Sequence, residues 1–197
     1  MSTPAPTDPG EQGLFIAVVG PSGVGKDTII RGLRDILPAS HFFFPHRIIT
    51  REPDHHEENQ FLDREGFNAA LEKGEFALAW EANGLAYALP RDIWTALRAG
   101  KHVIVNLSRA VVPKARALFP RTLVVHVTAR PDVIEARLRE RGRESSTVLA
   151  ERFARGQMLD AKIEADLLIE NNGKPEESIG RLGSLLIAMT YPRNPTP

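Results

Sequence analysis

The sequence contains no cysteine. Disulfides, thiol nucleophiles and cysteine-ligated metals are therefore excluded, and a reducing compartment is compatible with the chain. No charge of either sign is in excess, since 25 Lys and Arg balance 25 Asp and Glu. A global field drawing the chain to nucleic acid or to a membrane surface is thus not expected. No apolar run approaches the roughly 18 residues of a membrane span. Residues 1–13 are rich in Pro, Gly, Ser and Thr and lack the basic start and apolar centre of a signal peptide. They are expected to be a disordered tail, as are residues 191–197. A cytoplasmic location is the expectation.

What is present suits one domain over 14–190. Apolar residues make up 42% of the 197, enough for an ordinary core. The stretch that organises the chain is Gly20–Pro21–Ser22–Gly23–Val24–Gly25–Lys26–Asp27–Thr28. An apolar run, Leu14 to Val19, precedes it, and a helical pattern from Thr28 to Leu37 follows. Strand, glycine-rich loop and helix with G-x-x-x-x-G-K spacing form a P-loop. Its glycines let backbone N–H groups turn toward phosphate oxygens, and the helix N-terminus adds partial positive charge there. Lys26 supplies a full charge to the β- and γ-phosphates of a nucleotide. A Ser or Thr usually follows the lysine and touches Mg²⁺; here Asp27 follows, with Thr28 next. Asp27 is read either as a metal-binding carboxylate or as a first-turn acid stabilised by the helix dipole.

Downstream, Phe42–Phe44 and Arg47–Ile49 look extended. Asp63 is expected to cap a helix over 64–73, closed by Gly74. Two apolar segments, 76–80 and 85–89, flank Ala82–Asn83–Gly84, a hairpin signal. Pro90 is expected to open a helix to Ala99. Strands are expected at 102–106, 123–127 and 167–169, and helices at 111–119, 131–141, 146–159 and 176–189. Strand–helix alternation implies an α/β fold with a parallel sheet flanked by helices. The interruption at about 42–89 is expected to form a small acceptor-binding lobe with β-hairpin character. Asp54–His55–His56–Glu57–Glu58 is read as a solvated loop rather than a metal site, and His102 and His126 as structural.

Arginines cluster at 137, 139, 141 and 143, followed by Arg152 and Arg155. Arg137 and Arg141 share a helical face, as do Arg152 and Arg155. They are read either as a solvated basic face or, given the P-loop, as part of a mobile lid at about 139–155. In that lid Arg137, Arg141 and Arg152 would meet charge on a transferring phosphoryl group.

In segment order, residues 14–188 resemble the guanylate-kinase superfamily. The P-loop, Thr50–Arg51–Glu52–Pro53, Gly74–Glu75–Phe76, Asn83–Gly84 with Tyr87, and Arg137 to Gly142 carry the likeness. The resemblance implies ATP and Mg²⁺ as donor and cofactor, and acceptor phosphate held by Arg47 and Arg51. Leu168 to Asn172 resembles the segment near adenine, which implies nucleotide contact at Asn171. The guanine readers of that family are replaced, with Leu78 for an acid, Asn59 for a tyrosine and Asn106 for an aspartate. Narrower features resemble the ribose 1,5-bisphosphate phosphokinase family of phosphonate catabolism: Lys26–Asp27–Thr28, His46 to Arg51, Ala82 to Tyr87 and Asn106–Leu107–Ser108–Arg109–Ala110. That likeness implies ribose 1,5-bisphosphate as acceptor and 5-phosphoribosyl 1-diphosphate as product. Tyr87 would line the acceptor site, Asn106 and Ser108 would bond ribose hydroxyls, and Arg109 would meet a phosphate or form a structural salt bridge. A guanylate or other nucleoside monophosphate kinase, and a non-catalytic module of the same fold, are the alternatives.

Overall fold

A computed structural model describes residues 12–52, 59–82, 84–140 and 163–190. Its centre is β1 (Phe15–Val19), in which all five residues are buried. A strand buried on both faces must lie inside a covered sheet, and β1 does. The remaining strands are β2 (Phe42–Phe43), β3 (Ile48–Ile49), β4 (Gln60–Phe61), β5 (Phe76–Ala82), β6 (Leu85–Pro90), β7 (His102–Asn106), β8 (Thr122–Thr128) and β9 (Leu167–Glu170). The main sheet has the order β2-β7-β1-β8-β9 and is parallel throughout.

Alternation along β1 splits the core in two. Phe15, Ala17 and Val19 face α3 (Asp92–Arg98) and α4 (Val112–Leu118), where Ile93, Leu97 and Ala115 are buried with them. Ile16 and Val18 face α1 (Lys26–Ile36) and the C-terminal helix, α6 (Pro175–Thr190). Ile29 and Leu33 of α1 meet Leu182 and Leu186 of α6 in that layer. Full burial of each such side chain contributes about 1.5–3 kcal/mol. Phe15 stacks on Phe119 at 4.1 Å, closing the other layer. Between β8 and β9 runs α5 (Pro131–Glu140).

A second sheet, β4-β3-β6-β5, holds the interruption. α2 (Arg64–Glu72) shares a small core with it, Phe67 of the helix clustering with Ile48, Ala86 and Ala88 of the sheet. Asp63 caps α2 by accepting from Gly66 N at 2.7 Å, as its position foretold. β5 and β6 pair as the hairpin expected around Gly84.

Several expectations are corrected. Phe42 and Phe43 pair with β7 at the edge of the main sheet, so the second sheet begins at Ile48, not near 42. Pro90 ends β6 opposite Phe76, and α3 starts at Asp92; proline is tolerated at a strand end, where no ladder donor is needed. Gly13 belongs to the fold rather than to a tail: it is buried and donates to Leu97 O at 2.9 Å. A Cβ there would stand 1.8 Å from Lys101 O, which explains a glycine at that point. The expected helix at 146–159, the lid beyond residue 140, the 54–58 cluster and Asn83 lie outside the described residues.

Candidate active site

The loop between β1 and α1 takes its shape from three glycines at positive φ, Gly20, Gly23 and Gly25. Gly25 has φ 98° and serves as N-cap of α1, and Gly20 has φ 148° with Val127 O where a Cβ would stand. Ile29 N is the first amide of α1 to bond back, to Gly25 O at 3.0 Å. The amides of Lys26, Asp27 and Thr28 therefore precede the helical ladder and form a donor cluster for an anion. Lys26 Nζ donates to Gly20 O and Pro21 O, both at 2.9 Å, which holds the ammonium over the loop. Ser22 at the tip is exposed, while Gly23 and Val24 are buried.

Beneath the loop lies a strut that the sequence reading did not foresee. Asn171, 2% exposed, donates from Nδ2 to Val24 O at 2.8 Å and accepts from Ser178 Oγ at 3.0 Å. Its backbone N donates to Thr128 O at 2.7 Å. Arg137 Nη1 donates to Asn171 O at 2.9 Å and Val24 O at 3.4 Å, and Nη2 to Gly173 O at 3.2 Å. Both residues therefore tie the loop to β9 and α5. The Asn171 side chain is buried on Val24 and Ser178, and the Arg137 guanidinium lies on the carbonyls of Val24, Asn171 and Gly173. Helical spacing pairs Arg137 with Arg141 on one face but does not give what lies opposite Arg137. Arg141 and Arg152 lie outside the described residues.

The C-terminal edge of the sheet brings the acceptor candidates together, as expected for ligands of an open α/β sheet. Asn106 ends β7 level with Val18, directly beside the loop strand. Its Nδ2 donates to Asp27 Oδ1 at 2.7 Å, joining β7 to the first turn of α1. Arg47, just before β3, approaches the same oxygen with Nη2 at 3.9 Å and donates from Nε to Asn59 Oδ1 at 3.3 Å. The Arg47 guanidinium also sits 5.7 Å from the Tyr87 ring centre, and Tyr87 stacks on Trp80 at 5.4 Å. Tyr87 thus supports Arg47 from the small sheet.

Asp27, Arg47, Asn59 and Asn106 line one cleft with Arg31 and Arg34 of α1. Arg51, Ser108 and Arg109 do not line it; Ser108 and Arg109 lie just beyond β7, in the turn that opens α4. Arg31 and Arg34 were missed by the sequence reading. Their signal was legible, because 27, 31 and 34 repeat at helical spacing on one face. Leu78, standing where a base-reading acid would be, is 2% exposed and packed in the main core.

His102 bears out its structural reading. Its Nδ1 accepts from Leu14 N at 3.0 Å. Burial, then the nearby Arg121 and His41 charges, push its pKa below the ordinary 6.5.

Comparison with known proteins agrees with this geometry. Residues 13–188 match the guanylate kinase family model. The ribose 1,5-bisphosphate phosphokinase PhnN of Methylobacterium radiotolerans is 40% identical over 86% of this chain and 95% of its own. The protein of that name from Acidiphilium cryptum is 42% identical over 91% of this chain and 96% of its own. The crystal structure of guanylate kinase from Anaplasma phagocytophilum superposes with a TM-score of 0.68 at 18% identity, covering 91% of this chain and 87% of that one, a likeness of fold. The chain belongs to the guanylate-kinase family and, within it, to the ribose 1,5-bisphosphate phosphokinases.

Proposed function

We propose that this protein transfers the γ-phosphoryl group of ATP to the 1-phosphate of ribose 1,5-bisphosphate, yielding ADP and 5-phosphoribosyl 1-diphosphate. One observation carries the reading: a complete phosphate loop adjoins a cleft rich in phosphate binders and without an acidic base reader. Leu78 is in the core, Asn106 is held by Asp27, and Asn59 is held by Arg47. The relatives named above bear this activity in their names.

In the transfer, a 1-phosphate oxygen attacks the γ-phosphorus. The bond from that phosphorus to the β,γ-bridging oxygen breaks, and ADP leaves with the electron pair. A phosphate monoester has its second pKa near ~6 and is already ionised at pH 7. Positioning and charge neutralisation then suffice, and no general base is needed. Lys26 and the first amides of α1 hold the donor phosphates. Asn171 and Arg137 keep the loop in shape from below. Arg47, with Tyr87 behind it, meets an acceptor phosphate in the cleft, and Asn106 faces the ribose.

Magnesium, when bound with ATP, neutralises its phosphate oxygens. Asp27 fits the ion as a hard oxygen donor beside Lys26, with its side chain 39% exposed and one oxygen engaged by Asn106. One carboxylate together with nucleotide phosphates and water suits Mg²⁺, which keeps several waters and takes few protein ligands. No helix among the described residues is long and apolar enough to cross a membrane. We place the reaction in the cytoplasm, where ATP is available. Incubation with Mg·ATP and ribose 1,5-bisphosphate, followed by phosphorus NMR, tests the proposal. A diphosphate monoester at C1 is expected; ADP release without it refutes the reaction.

A further inference from the structure

We infer that Arg31 and Arg34 of α1 form a subsite for a second phosphate of the acceptor, separate from the phosphate met by Arg47. The inference rests on the reading that the acceptor is a sugar bisphosphate. Asp27, Ile30, Arg31 and Arg34 fall on one face of α1, and all four line the cleft. Arg47 and Asn59 enter it from the small sheet, and Asn106 from the end of β7. The lining therefore carries three guanidinium groups against one carboxylate, in a chain whose charges balance overall. Such a local excess disfavours the empty cleft and favours a dianion in it. Arg47 already meets Asp27 and Asn59. Arg31 and Arg34 extend the positive wall away from the loop.

The helix sets the spacing. At about 1.5 Å rise per residue, Arg31 stands about 7 Å and Arg34 about 12 Å along the axis from Lys26. One acceptor phosphate must lie near Lys26 to receive the γ-phosphoryl group. A second phosphate on the far side of a ribose then falls beside Arg31 and Arg34. Arg34 is aligned for this by its guanidinium, 5.7 Å from the centre of the Phe44 ring. A planar fork held in this way loses little freedom on binding a phosphate. Arg109, offered by resemblance for a second phosphate, does not line the cleft. A nucleoside monophosphate carries no second phosphate for this wall, so the subsite also selects between acceptor classes.

The test compares ribose 1,5-bisphosphate with ribose 1-phosphate, which lacks only the distal phosphate. Wild type is expected to prefer the bisphosphate by about a hundredfold in kcat/KM, from two charge-assisted contacts. In the double variant Arg31→Ala/Arg34→Ala, KM for the bisphosphate should rise about tenfold to a hundredfold, and the preference should shrink to about tenfold or less. KM for ATP should stay unchanged, and Arg31→Lys/Arg34→Lys should recover part of the preference. A merely structural role would lower turnover of both acceptors alike. If the double variant melts early, Arg31→Ala alone, at an exposed helix position, must shrink the preference in the same direction. Unchanged KM and preference in variants, with wild type active on the bisphosphate, would overturn the subsite alone. A wild type inactive on the bisphosphate overturns the functional reading, and the subsite with it.

Discussion

Replacing Asn171 by alanine separates a structural strut from a nucleotide contact. The side chain is 2% exposed, and its Nδ2 is the shorter of two donors to Val24 O, at 2.8 Å against 3.4 Å from Arg137. Ser178 Oγ retains a second acceptor, Glu170 O at 3.3 Å, so that hydroxyl loses little. The principal loss is a buried carbonyl left with its weaker donor, together with a small void. That costs about 1–3 kcal/mol by the usual penalty for a buried group losing its partner. For a chain of this size, about 2–4 °C of Tm accompanies each kcal/mol, so a fall of about 2–12 °C is expected. Thermal melting by circular dichroism, without nucleotide, measures it. Because Val24 is part of the loop, KM for ATP should rise as well, and equally for GTP, since no base contact is removed. Asn171→Asp should behave similarly, because an oxygen would then face Val24 O. An unchanged Tm combined with weaker binding of ATP alone would refute the strut and restore an adenine contact.

Other consequences are as direct. Lys26→Ala should lower turnover by at least about 10³ with little change in Tm, because the side chain lies over the loop and not in the core; near-normal turnover would remove the loop from catalysis. Asp27→Asn should raise the Mg²⁺ concentration for half-maximal activity more than KM for the acceptor; an unchanged Mg²⁺ titration would leave Asp27 as a helix-end acid held by Asn106. His102 takes up a proton more readily unfolded than folded, because burial, Arg121 and His41 lower its folded pKa below 6.5. Its contribution to stability is thus complete above pH 6.5 and declines as pH falls toward the folded pKa. The drop in Tm between pH 7.5 and 5.5 should shrink in His102→Asn, whose Oδ1 can still accept from Leu14 N; equal slopes would contradict this.

Much of this architecture was legible because period and punctuation agree. The buried runs at β1, β7 and β8, the Asp63 cap and the Gly84 hairpin each follow from local residue chemistry. Local rules fail where a tertiary partner decides. Gly13 looks like tail composition until Lys101 O is seen against it. Phe42 and Phe43 look like their neighbours in the lobe, but pair with β7. Motif position associates Asn171 with the nucleotide, and the fold adds that its side chain lies under the loop, on Val24 O. The same holds for Arg137, whose partners are carbonyls of the loop, at Val24, and of the segment after β9, at Asn171 and Gly173. Arg31 and Arg34 were passed over because no motif covers them, although their helical spacing from Asp27 was available. The replacement at Leu78 was readable, and its burial explains why an apolar residue stands there.

The identity of the acceptor is tested most directly by kcat/KM for ribose 1,5-bisphosphate and for GMP under identical Mg·ATP conditions. A purine would bury polar edges in a cleft whose Asn59 and Asn106 are already engaged by Arg47 and Asp27, at about 1–3 kcal/mol for each unsatisfied group. The expected ratio is at least about a hundredfold in favour of the bisphosphate, equivalent to about 2.7 kcal/mol of transition-state preference. Comparable values, or faster turnover of GMP, would contradict the account and make this a guanylate kinase with unusual base contacts.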